Sequence, residues 1–181
     1  MARRKNTPRA RDGIRDESLG IALEQALIQM PMSSIEVRAL CSKAGVGRTT
    51  FYRYYGEKDG LGNLFKRSQR KQFEEYLLEH PVSEKENRDK RLLSYLYLKK
   101  DLLLSLEKFG EDGMLLDLLK TLVLTDPKRS HTYLDSMGVG LWYGFLKCWT
   151  EEGMKDSAEE VQRKVLASLS VLIASRKKQV K

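Results

Sequence analysis

Proline, cysteine and histidine are scarce in this sequence, and no apolar run approaches the roughly 18 residues that a membrane-spanning helix needs. Four prolines and no low-complexity tract argue for a folded chain, with 41% apolar and 32% charged residues to supply a core and a solvated surface. Cys41 and Cys148 lie far apart and share no CxxC or Cys/His spacing, so neither a disulfide framework nor a zinc site is indicated, and a reducing cytoplasm fits. His80 sits beside a proline and His131 is isolated. With no paired carboxylates, no Gly-rich phosphate loop and no nucleophile-base motif, the chain does not read as an enzyme, and no cofactor is expected. The Arg3-Arg4 pair precedes no apolar segment, so export is not expected either.

What is abundant is positive charge, and it is unevenly placed. The formal net charge is +8, and the first 15 residues hold Arg3, Arg4, Lys5, Arg9, Arg11 and Arg15 against the single acid Asp12. A basic end on a nearly neutral body points to a polyanion, nucleic acid before membrane, with a solvated tail as the plain alternative. Thr7, Pro8 and Gly13 interrupt this segment, so residues 1–13 are expected to form a flexible basic arm.

Apolar periodicity is helical nearly everywhere, which predicts an all-α fold of about nine helices. Leu19, Leu23, Ala26, Leu27 and Met30 mark one face of a first helix over about 16–29, stopped by Pro31. Ser33 and Glu36 stand at capping-box spacing before a short helix over about 34–43. Gly45 follows it, and Arg48 to Tyr55 resume a helix. Two short helices joined by a tight glycine turn are the helix-turn-helix pattern. Residues 14–57 would form that head and residues 58–181 a helical body. The head would join the body through a helix over about 58–78, whose Gly60 and Gly62 would make its first turns pliable. A helix bend is expected near Lys99 to Asp101.

The segment Ile35 to Leu61 resembles the TetR family of transcriptional regulators. The match is carried by Ala44-Gly45, Val46, Thr50-Phe51-Tyr52, Tyr55, Lys58 with an acid after it, and Leu61. The resemblance implies a homodimeric DNA-binding regulator, most simply a repressor on a palindromic double-stranded operator, released by a small-molecule effector. A TetR-like adaptor or coactivator governed by a protein partner is the alternative, and Gly140 to Val161 looks like a branch of the family that holds both kinds. In TetR-like proteins the residues matching Thr50, Tyr52 and Lys58 touch DNA. Helix geometry lets Arg48, Thr49, Tyr52 and Arg53 reach bases and flanking phosphates, with Arg48 and Thr49 as the base-reading candidates. Glu36 departs from the family's usual Thr, which leaves that phosphate contact in doubt, and Gly47 replaces the common capping Ser.

The expected helix over about 128–152 is apolar almost all round, with Leu134, Met137, Val139, Leu141, Trp142, Phe145, Leu146 and Trp149. A helix of that kind must be buried all round, and one protomer covers only one side. With the last helix, over about 157–177, it is expected to form a two-fold dimer interface in which Gly140 and Gly144 allow close approach. Tyr95, Phe109, Met114, Tyr133 and Met137 are pocket candidates, but at helical spacing each reads more readily as core.

Overall fold

The computed structural model describes residues 8–81, 88–124 and 132–179. Among these residues the chain is all-helical: α1 Pro8–Leu27, a 3-10 turn Met32–Ser34, α2 Val37–Lys43, α3 Arg48–Tyr55, α4 Gly60–Glu79, α5 Arg88–Leu98, α6 Lys100–Lys108, α7 Asp112–Val123, α8 Tyr133–Glu151 and α9 Ala158–Gln179. No described helix is long and apolar enough to cross a membrane. Arm residues 1–7, and residues 128–131 where the eighth helix was expected to start, lie outside the described residues. So do the side chains of Leu169, Leu172 and Ile173.

The first helix was expected from near Asp16, but residues from Pro8 onward are already helical. Residues 8–13 are therefore helix, not flexible arm.

Helices α1 to α3 make the head. Gly45 ends α2 in the left-handed region at φ 67°, and the chain closes there with Val46 N–H on the Cys41 carbonyl at 2.9 Å and Gly45 N–H on the Ser42 carbonyl at 3.2 Å. That double bond pattern is the Schellman stop, which favours glycine because a Cβ strains the left-handed conformation. Leu40 and Cys41 from α2, Phe51 and Tyr55 from α3 and Leu19, Leu23 and Leu27 from α1 are all buried together.

The expected capping box at Ser33 and Glu36 does not form. Ser33 lies in the 3-10 turn, Ile35 is extended, and Glu36 is itself the N-cap of α2 with no side-chain cap bond. The same signature works further on: Thr132 and Asp135 close a reciprocal box at the start of α8, and Ser157 and Glu160 exchange bonds of 2.9 and 3.3 Å before α9.

Helix α4 packs on α1, α3 and α7, so it joins head to body. Its opening glycines have side-chain atoms close by. A Cβ on Gly60 would stand 2.9 Å from Phe51 Cε1, and one on Gly62 would stand 2.3 Å from Asp59 Oδ1. The chain bends at Lys99 as its pattern implied, ending α5 and opening α6. Leu115, Leu118, Leu119 and Leu122 form the buried stripe of α7 at helical spacing, facing α4, α6 and α8. Helix α9 packs chiefly on α5.

Candidate nucleic-acid interface

Helix α3 is anchored from one side only. Phe51 is fully buried and Tyr55 nearly so, as their spacing required. The Tyr55 hydroxyl donates to Asp16 Oδ1 at 2.6 Å, and Arg67 Nη2 holds Asp16 Oδ2 at 2.6 Å, which ties α3 to both α1 and α4. Asn63 Nδ2 donates to the Tyr55 carbonyl at 2.9 Å, using one acceptor that the end of α3 leaves open. Burial first, and then the bond to Asp16, push the Tyr55 hydroxyl above the usual phenol range.

The opposite side of α3 is free. Arg48, Thr49, Tyr52 and Arg53 are all exposed, and Lys58 is exposed just beyond the helix; Thr50 is half-buried. Thr49 and Arg53 are four apart and share one face, with Tyr52 beside them. Among the described residues Arg48, Arg53 and Lys58 make no ion pair, although Arg53 lies 5.1 Å from the Tyr54 ring centre. Tyr52 has two roles: its ring edge meets Phe51 at 5.5 Å while 38% of the residue stays exposed.

Two cations that sequence reasoning passed over join this set. Arg38 and Lys43 on α2 are exposed and likewise unpaired among the described residues. Their signal was present in the sequence, since both flank the inward pair Leu40-Cys41. Between residues 36 and 58 five cations stand against two acids, Glu36 and Glu57. Arg15 of α1 adds a guanidinium 3.8 Å from the centre of the Tyr54 ring.

The rest of the chemistry is quiet. Cys41 is buried, and that burial raises its thiol despite the nearby charge of Arg48, so it is not a poised nucleophile. No group of three His, Cys, Asp or Glu among the described residues is placed to hold a metal.

No family model, no curated protein and no solved structure matches this chain. The site's own residues therefore carry its interpretation: a short helix, wedged by two buried aromatics, that presents a hydroxyl, a phenol and unpaired cations to solvent.

The body contributes an exposed apolar face. On α8, Leu134, Met137 and Leu141 are 77%, 64% and 57% exposed, and a Cβ on Gly138, Gly140 or Gly144 would meet nothing within 4 Å. Tyr133 and Met137 are thus neither core nor pocket residues within the protomer, whereas Tyr95 is core. Leu166 and Val171 extend the exposed apolar surface onto α9. A groove of about 590 Å³, lined by Leu93, Leu141, Trp142, Phe145, Trp149 and Val165 among others, runs between α5, α8 and α9. A second groove, of about 490 Å³, lies between α4, α7 and α8 and carries Lys66, Arg70 and Lys120.

Proposed function

We propose that the chain is a TetR-like, sequence-specific DNA-binding regulator: a homodimer that represses from a palindromic operator and is released by a small effector. The observation that carries this reading is the two-sidedness of α3. A helix of eight residues fits the major groove, and this one buries Phe51 and Tyr55 while leaving Arg48, Thr49, Tyr52 and Arg53 to solvent with their charges unspent. Exposed arginines without acid partners suit bidentate contact with guanine or phosphate, and an exposed tyrosine and lysine suit phosphate.

Dimerisation is supported by the α8 face. Leu134, Met137 and Leu141 form an apolar stripe, and the glycines beside it leave room for another helix to approach. A two-fold pair of α8 and α9 helices covers such a face and sets two heads on one duplex. The effector is the part least specified by residues. The groove between α4, α7 and α8 supports it, because α4 also carries the head.

Selection of bound duplexes from a random pool tests the reading. An enriched inverted repeat with half-sites near one helical turn apart, about 10 base pairs, is the expected result. A pool that stays random after repeated rounds overturns it.

A further inference from the structure

The head joins the body covalently through residues 56–59 into α4, and α1 and α3 pack on α4, with Arg67 on Asp16 and Asn63 on the Tyr55 carbonyl. A further attachment is a row of three non-covalent ties at the exit of α1, spaced four residues apart along the chain. Glu24 Oε1 receives Lys99 Nζ at 2.7 Å, with both side chains about four-fifths buried, and Gln69 Nε2 reaches the other Glu24 oxygen at 3.3 Å. The Ile28 carbonyl accepts from Ser105 Oγ at 3.0 Å. The Met32 N–H donates to Glu111 Oε1 at 2.8 Å.

The last two ties do work that a helix-to-helix loop ordinarily does for itself. Helix α1 ends at Leu27, so the following carbonyls have no helical partner, and the first N–H of the 3-10 turn is likewise open. The Ser33 and Glu36 side chains supply no cap to α2 or to the turn before it. The Ile28 carbonyl is met instead by Ser105 from α6, and the Met32 N–H by Glu111, the N-cap of α7. The geometry of the α1–α2 loop is therefore set in part from the body, beside the packing of α2 on α1 and of α3 on α4.

We infer that Lys99, Ser105 and Glu111 are positioning residues that fix the angle at which each head stands on the dimer, and so fix the half-site spacing the protein accepts. This rests on the DNA-binding reading above. None of the three lies on α3 or touches its exposed face, so their loss leaves the contacts within one half-site intact. What changes is how rigidly two heads are held in register. A two-base-pair insertion rotates one half-site by about 70° relative to the other, which a fixed pair of heads cannot follow and a loosened pair can.

The test uses the full-length dimer and the inverted repeat enriched from a random duplex pool. Affinity is measured on that duplex, on versions with one or two base pairs added to or removed from its centre, and on a single half-site. Wild type should lose about tenfold or more on the two-base-pair variants, and K99M/S105A/E111A should lose less than about threefold while matching wild type on the half-site. Glu111→Ala alone should move the same way by a smaller factor, and Glu111→Gln, which keeps an oxygen acceptor for Met32, should restore the wild-type profile. These single variants carry the test if the triple variant does not fold. Spacing profiles that coincide for wild type and Glu111→Ala overturn the inference while leaving the DNA-binding reading in place. A pool that yields no enriched duplex overturns that reading itself.

Discussion

Tyr55 and Asp16, 39 residues apart in sequence, meet in a buried hydrogen bond of 2.6 Å, and Arg67 holds the remaining carboxylate oxygen. The three residues come from α3, α1 and α4, so the candidate reading helix is locked to both its own head and the helix that leaves it. Tyr55→Phe keeps the ring and removes the donor. Hydrogen bonds to charged groups contribute about 1.5–3 kcal/mol, so this variant should lose stability on that order in urea titration, with helical content unchanged. A loss under about 0.5 kcal/mol would mean the lock is unimportant.

The same hydroxyl makes alkaline stability informative. Burial, followed by nearby acids, raises both Tyr55 and Tyr95 above the ordinary phenol value near 10. Above that pH the unfolded chain releases these protons while the folded chain keeps them. Stability therefore falls as pH rises past 10, by up to about 1.4 kcal/mol per pH unit for each tyrosine, and is fully retained below it. Tyr95→Phe should flatten the decline between pH 10 and 11.5, measured by urea midpoints across the series; an unchanged slope would remove Tyr95 from the account.

Glycines that look alike in sequence should respond oppositely to alanine. Gly60→Ala forces a Cβ to 2.9 Å from the Phe51 ring, and overpacking of that kind costs about 1–3 kcal/mol, more than the helix preference for alanine returns. Gly113, near the start of α7, has open space where its Cβ would go, so Gly113→Ala should stabilise by a few tenths of a kcal/mol up to about 1. Thermal unfolding of the two variants checks the pair, and a stabilising Gly60→Ala would contradict the packing role given to that residue.

Gly144→Leu separates the protomer from the dimer. Apart from its own helix backbone and chain neighbours, a Cβ at this position would meet no described atom within 4 Å, so the new side chain should leave the folded protomer undisturbed. On the proposed interface it occupies the space through which a partner helix approaches. Sedimentation should show a helical monomer in place of the wild-type dimer, and an intact dimer would move the interface away from this part of α8.

The fold was largely legible because its strongest signals are local. Leu115, Leu118, Leu119 and Leu122 announce a helix and its buried face at once, and Gly45 after Lys43 announces the turn that separates α2 from α3. The inward pair of α3 was equally plain, since Phe51 and Tyr55 are four apart. The misreadings have a common origin in tertiary context. Ser33 and Glu36 have the right spacing for a cap, but the turn beside them takes its partners from Ser105 and Glu111, more than 70 residues away. No pattern in the sequence reveals that the Phe51 ring occupies the space beside Gly60. The exposure of Arg38 and Lys43 was legible from the inward pair Leu40-Cys41 between them, whereas the absence of an acid partner becomes visible only once the chain is folded.

The central claim is that α3 reads DNA, and comparing Arg48→Ala with Lys58→Ala tests it most directly. Each protein is titrated by fluorescence anisotropy onto the enriched duplex and onto a scrambled duplex of equal length and composition. The account predicts that Arg48→Ala weakens the enriched duplex by about 1–3 kcal/mol while barely changing the scrambled one, and that Lys58→Ala weakens both alike. Equal losses on the two duplexes for Arg48→Ala, or no loss on either, would contradict it.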